Sequence, residues 1–169
     1  MFKKILAVSL LLGAFGQAQA ADAPLSFSPK DKVLIISPHP DDEALGAAGA
    51  IQRAKASGAA VKVLYLTHGE SNEVSSVFYR KKPLVLRSDF IKNGLLRRQE
   101  AVESMAFLGL AAQDLVFFGY PDGGTLTIWL KHWGATKAYR SLFTRFSRVP
   151  YKDDFSSGNS YKGDDIVRD

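Results

Sequence analysis

Cysteine is absent from the sequence. That excludes disulfides, thiolate zinc sites and a lipidated N-terminal cysteine, so the fold must be held by its core alone. Histidine is scarce: there are three, His39, His68 and His132, and any imidazole-based site has to draw on them. No apolar run reaches the ~20 residues that span a bilayer; the main one runs only from Ile5 to Phe15. Internal repeats and low-complexity blocks are lacking too. The net charge of +5 is a mild excess, which argues weakly, if at all, for nucleic acid, and no nucleic-acid partner is expected.

What is present is 169 residues with 46% hydrophobic content, enough for one domain with a real core and too little for two ordinary ones. The first twenty residues read as a secretory signal. Lys3 and Lys4 form a positive n-region, Ile5 to Phe15 an apolar h-region, and Ala18-Gln19-Ala20 the small residues a signal peptidase reads. Cleavage before Ala21 is expected, with an uncleaved anchor as the alternative. Residues 21–30 then form a linker and 31–169 the domain. Removing Lys3 and Lys4 lowers the net charge to +3. An exported chain without disulfides fits a secreted or periplasmic bacterial protein, with no stable transmembrane anchor once the signal is gone.

Val33 to Ser37 has the continuous apolar, β-branched character of a strand buried on both faces. Glu43 to Ser57 predicts a helix with Leu45, Ala48, Ile51 and Ala54 inward and Gly58 as its cap. Val61 to Thr67 predicts a second strand, completing a right-handed βαβ unit. Gly69 to Asn93 has no clean periodicity and reads as a long surface excursion with room for a short helix. A helix from Asn93 or Gly94 to about Leu108, with Leu96, Ala101, Met105 and Leu108 inward, and a third strand, Leu115 to Gly119, follow. Tyr120 to Gly124 is a turn. Thr125 to Phe146 reads as two helical pieces broken near Gly134, with Trp129 and Trp133 packing. Arg148 to Gly163 reads as a polar loop, and Asp164 to Asp169 as a helix N-terminus.

In an open parallel sheet, ligands bind in the crevice outside the carboxyl ends of the strands. Ser37-Pro38-His39-Pro40-Asp41-Asp42-Glu43 follows the first strand, Thr67-His68-Gly69-Glu70 the second, and Gly119-Tyr120-Pro121-Asp122 the third. These loops should converge. His39 and Asp42 offer the nitrogen and oxygen donors that zinc takes near ~2 Å, and Pro38 and Pro40 stiffen their backbone. Asp41 cannot join them on the same ion from so tight a loop, but it can reach a metal-bound water as general base. The competing reading is that Asp41 or Asp42 merely caps the helix opening at Glu43.

The motifs in order resemble those of the PIG-L/LmbE-like family of zinc-dependent N-acetylglucosamine deacetylases. Pro38-His39-Pro40-Asp41-Asp42-Glu43 resembles its signature loop and Thr67-His68-Gly69-Glu70 its T-x-G-E. Arg97-Arg98-Gln99-Glu100 through Leu108-Gly109 resembles its R-x-x-E helix, and Gly119-Tyr120-Pro121-Asp122 its third-strand loop. The likeness covers about residues 31 to 124, and the first motif is by far the most specific. It implies His39 and Asp42 as ligands of one Zn2+, Asp41 as general base, Arg97 in the substrate pocket, and hydrolysis of the acetamide of an N-acetylated sugar or glycoconjugate. The expected fold is α/β, Rossmann-like and three-layered, with a mostly parallel sheet.

The sequence departs from the family at the third ligand. The family places a histidine in a later motif, His-Pro-x-x-Asp with a further Asp-His, and no histidine follows His132 here. One expectation is a C-terminally incomplete domain whose remainder supplies that ligand; the other is a complete chain with a weak or absent metal site. Two protein ligands seldom hold a catalytic zinc, so the 169-residue chain is expected to be inactive or weakly active as it stands. His68 is the remaining candidate third ligand, and His132 is assigned no role. Glu43 reads equally as a first-turn acid or a pocket-side hydrogen-bond acceptor, and Arg97 as a pocket residue or the partner of Glu100, whereas Asp122 reads first as a turn residue and second as a pocket carboxylate. Arg80-Lys81-Lys82 reads as a solvated face. The rival functions are an inactive or sugar-binding homologue and another metal-assisted hydrolase such as a phosphoesterase.

Overall fold

The computed structural model of the protein describes residues 25–72 and 86–169. The expected signal segment, the linker up to residue 24 and the basic Arg80-Lys81-Lys82 lie outside the described residues. The elements run β1 (Lys32–Ser37), α1 (Asp42–Ala56), β2 (Ala60–Thr67), α2 (Arg87–Phe107), β3 (Leu115–Tyr120), α3 (Thr125–Lys131) and α4 (Gly163–Arg168), with a 3-10 turn at Ala112–Asp114 before β3. The three strands are parallel in the order β1-β2-β3. The fold is α/β and Rossmann-like.

Sequential strand order with right-handed crossovers places both crossover helices on the same face of the sheet. Ile51 and Ala54 of α1 and Ala101 and Met105 of α2 share one core with Val61, Val63, Tyr65 and Phe117. Ile51 and Met105 are wholly buried, and burying a side chain of that size contributes roughly 1.5–3 kcal/mol. The opposite face carries Phe118, Tyr120, Ile128, Val149, Tyr151 and Tyr161, with Ile166 of α4 packed against them. That third layer covers β3 and part of β2, while Leu34 and Ile36 of β1 stay 56% and 61% exposed.

Several boundaries differ from the sequence reading. In α1, Leu45 is 85% exposed and the inward stripe is Ala44, Ala47, Ile51 and Ala54. A strict spacing of three drifts around a helix of 3.6 residues per turn, whereas steps of three and four stay on one face. Helix α2 begins at Arg87, not at Asn93. Asp89 closes its first turn by accepting the Leu86 N–H at 3.0 Å, and Phe90 and Asn93 are buried. Gly94 lies inside this helix; a Cβ there would meet the Tyr151 hydroxyl at 2.6 Å, His68 at 3.0 Å and Glu70 at 3.2 Å. Close approach, not helix initiation, explains that glycine. Leu96 is 45% exposed because Phe90, Gly94, Ala101 and Met105 form the buried face.

Between Lys131 and Gly163 no second helix forms. The segment is held by turns and one antiparallel bridge, Arg148 to Ser160. It is also far from a solvated loop, since Val149, Tyr151, Asp154, Ser156 and Tyr161 are buried. Trp133 packs over Gly163, where a Cβ would strike the indole; Trp129 is 53% exposed. β3 carries one residue more than β2 between the pairs Tyr65–Phe117 and Thr67–Tyr120. Gly119 absorbs this bulge at φ 73, a conformation glycine adopts without strain. A Cβ at Gly119 would also meet Asp154, Tyr151 and Val149.

Candidate metal centre

The loop after β1 is organised by its own short-range hydrogen bonds. The Ser37 hydroxyl donates to the His39 carbonyl at 2.6 Å and lies 3.2 Å from Glu43 Oε2. Glu43 is 1% exposed and its Oε2 accepts the Asp41 N–H at 3.0 Å, so Glu43 serves the loop as well as the helix start. Asp41 itself sits at φ 124, ψ −34, a region that costs a residue with a side chain about 1–3 kcal/mol. Its carboxylate makes no cap to α1. Asp42 Oδ2 accepts the His39 N–H at 3.1 Å and faces His39 Nδ1 at 3.2 Å.

At this backbone twist the Asp41 side chain pairs with Arg97 and not with His39. Arg97 Nη2 donates to Asp41 Oδ2 at 2.7 Å and also to the Pro40 carbonyl, while Nη1 donates to the Gly69 carbonyl at 2.9 Å. Gly69 is at φ 59, and a Cβ there would collide with the guanidinium. The arginine therefore bridges the loops after β1 and β2. Asp41 is 57% exposed and Arg97 13%, so solvent weakens the ion pair; its value is geometric, because it aims the carboxylate.

All three strand-end loops meet, as expected. The Thr67 N–H and hydroxyl both donate to the Pro38 carbonyl at 3.1 Å. Asp122 Oδ1 is 3.0 Å from His39 Nε2, its Oδ2 accepts the Ser71 N–H at 3.1 Å and hydroxyl at 2.5 Å, and its N–H donates to Glu70 Oε1 at 3.1 Å. Two depressions flank the loop. One of about 300 Å³ is lined by His39, Thr67 and Asp122, the other, of about 200 Å³, by Asp41, Arg97 and Glu100. A larger, apolar hollow of about 390 Å³ lies beside them, between Leu66, Tyr120, Leu126 and Trp129.

Charges in this cluster bias one another. The hydrogen bond to Asp122 raises the His39 pKa above the usual imidazole range against the opposing effect of burial, and the charges of Asp122 and Asp42 add to the rise. Burial works to raise Asp122, but the bonds from His39 and Ser71 outweigh it and hold the carboxyl down to about 2. Glu70 is the opposite case: burial pushes it up to about 7 against hydrogen bonds from backbone N–H groups, and its Oε2 has no hydrogen-bond partner among the described residues. A carboxyl raised on folding stabilises most below its unfolded value near 4.5, and that contribution is lost as pH rises through about 7. Urea unfolding across that range is expected to show a steeper fall in stability for the parent than for Glu70→Gln; equal slopes would contradict the assignment.

His68, the candidate third ligand, does not reach this site. It is fully buried, with Nδ1 3.1 Å from the Gly94 carbonyl and Nε2 2.6 Å from Asp154 Oδ2, and it stacks on Tyr151 at 4.0 Å. Both ring nitrogens are engaged, so it is a structural residue. His132 lies apart, Nδ1 2.6 Å from the Lys137 carbonyl. Two residues carry more than the sequence reading gave them. Asp122, weighed mainly as a turn residue, touches His39, and Asp154, in the segment read as a polar loop, is buried against His68. The signal available for Asp122 was its place at a strand end; Asp154 offered none.

The donors at His39 and Asp42 suit zinc in kind, an imidazole nitrogen and a carboxylate oxygen. They are two in number: among the described residues no group of three or more His, Cys, Asp or Glu side chains is arranged to hold one ion.

The PIG-L family, described as GlcNAc-PI de-N-acetylase, matches residues 34–152. The chain belongs to this family. A search among curated proteins returns no match. Among solved structures, this PIG-L family chain is similar to the 4-carboxy-2-hydroxymuconate hydratase of Pseudomonas putida, at 30% identity and TM-score 0.45 over 54% of the chain and 35% of that protein. It is similar to the N,N'-diacetylchitobiose deacetylase of Pyrococcus horikoshii at 28% identity and TM-score 0.43, over 54% of the chain and 30% of that protein. A conserved protein of Thermus thermophilus aligns at 27% identity and TM-score 0.38, over 80% of the chain and 53% of that protein. The PIG-L family chain thus spans between about a third and a half of the length of these structures.

Proposed function

We propose that the chain is built to hydrolyse the acetamide of an N-acetylated amino sugar or glycoconjugate, with one zinc ion held by His39 and Asp42 and weak activity expected from a site with two protein ligands. The observation that carries this reading is that the two neighbouring acids have different partners. His39 Nδ1 and Asp42 Oδ2 meet at 3.2 Å, whereas the Asp41 carboxylate stays out of that pair and is held at 2.7 Å by Arg97. When bound, zinc supplies Lewis-acid activation of the amide carbonyl and of the attacking water. Asp41 takes the proton from that water, and the proton is needed again at the departing amine. Arg97 fixes where that carboxylate points and lines the depression beside it. The products are acetate and a free amino sugar.

The test is acetate release from N-acetylglucosamine oligosaccharides together with zinc content after dialysis. His39→Ala and Asp42→Ala are each expected to lose bound zinc and acetate release together; undiminished release in both variants would sink the proposal. A second reading, a sugar-binding homologue, is favoured by the two-donor count among the described residues. Glycan binding without acetate release, unchanged in Asp41→Asn, would select it. Export is proposed from the segment 1–20 and makes an envelope or environmental glycan the fitting substrate; a purified chain whose mass begins at Ala21 would support it, and one retaining Met1 would not. Among the described residues no helix is long and apolar enough to cross a membrane.

A further inference from the structure

We propose that Asp122 is the positioning carboxylate for His39, fixing which ring nitrogen is offered to the metal; this rests on the reading of His39 and Asp42 as zinc ligands. The imidazole is held between two carboxylates, with Nδ1 at 3.2 Å from Asp42 Oδ2 and Nε2 at 3.0 Å from Asp122 Oδ1. The nitrogens face opposite sides of the ring. An ion seated between Nδ1 and Asp42 therefore cannot touch Asp122, which excludes the aspartate as a ligand to that ion. What it can do is accept the Nε2–H. That bond selects the tautomer whose lone pair lies on Nδ1 and stops the ring from rotating, the role that carboxylates behind metal-bound histidines play.

Asp122 is suited to this because it is itself fixed. Its side chain is 12% exposed, Oδ2 takes both the N–H and the hydroxyl of Ser71, and its own N–H donates to Glu70 Oε1. Ser71 and Glu70 follow β2, Asp122 follows β3 and His39 follows β1, so the sheet as a whole sets the ring angle. A turn residue favoured only for its backbone conformation would need none of these side-chain contacts.

The experiment measures zinc affinity by chelator competition and the His39 tautomer by nitrogen NMR, in the full chain, for the parent, Asp122→Ala and Asp122→Asn. Only three histidines are present, so His39 can be assigned by comparison with His39→Ala. The parent is expected to show the Nε2–H form at alkaline pH. Asp122→Ala is expected to weaken zinc binding by about 10–100-fold and to mix the tautomers. Asp122→Asn, whose amide oxygen can still accept from Nε2, is expected to lose less and guards against a folding defect in the alanine variant. Parent-like affinity in both variants of a zinc-binding chain overturns the proposal. A parent that takes up no zinc sinks the metal reading instead, and the spectrum still decides the orienting role: an unchanged Nε2–H ring without Asp122 overturns it.

Discussion

Asp41→Asn is expected to lower acetate release by about 10²–10⁴-fold, the range for removing a positioned general base, while zinc content stays at the parent level. The variant is a sharp test because asparagine preserves the geometry. Its amide oxygen can still accept from Arg97 Nη2, which donates to Asp41 Oδ2 at 2.7 Å, and the proposed ligands His39 and Asp42 are untouched. The loss is read against the parent's own rate, whatever its level, and zinc is measured on the same samples. A drop of less than threefold would remove Asp41 from the chemistry and leave it a loop residue. Asp41→Gly gives an independent check. At φ 124 glycine relieves strain that costs a side-chain-bearing residue about 1–3 kcal/mol, so this variant should match the asparagine variant in lost activity yet unfold at higher urea concentration. Strain retained at a residue that glycine would suit better is the signature expected of a position kept for function.

Asp154→Ala is expected to destabilise the fold by about 1–3 kcal/mol, the range for leaving a buried hydrogen-bonding group without its partner. Against a total of about 5–15 kcal/mol for an ordinary domain, that is a large share of the stability only towards the lower end. Asp154 accepts from His68 Nε2 at 2.6 Å with both side chains at most 1% exposed. Arg98 Nε stands 3.5 Å from its other oxygen, a charge contact rather than a well-formed hydrogen bond, and its guanidinium lies over Phe117 at 4.6 Å. Removing the carboxylate would leave an imidazole and a guanidinium facing each other with nothing between them. Asp154→Asn keeps an acceptor for His68 and should cost clearly less. Equilibrium urea unfolding decides; a change under 1 kcal/mol in the alanine variant would mean that the pair is not a keystone of the fold.

The two predictions divide along the line between local and distant information. The strand and helix positions of β1, α1, β2 and β3 were legible because each depends on periodicity and caps within a dozen residues: Val33 to Ser37 is a strand, though not buried on both faces, since Leu34 and Ile36 are exposed, and Gly58 marks the end of α1 at φ 80. Where the reading slipped, a long-range contact had overridden a local signal. Gly94 looks like a helix opener in sequence, yet it is inside α2 because Tyr151, His68 and Glu70 crowd the space a side chain would need. The polar run from Arg148 to Gly163 looks solvated, yet six of its residues are buried.

The candidate site divides in the same way. The sequence alone determined that His39, Asp41 and Asp42 lie together at a strand end with a stiffened backbone, because all three fall within four consecutive positions and no fold can separate them. Tertiary structure decided which way each one points. The backbone twist at Asp41 sends one acid to Arg97, 56 positions away, and leaves the other beside His39. The ring of His39 is set by Asp122, 83 positions on, and the rejection of His68 as a ligand comes from Asp154, 86 positions on. A sequence lists donors and acceptors without their directions. Those directions exist only once the sheet has brought the three loops to one edge.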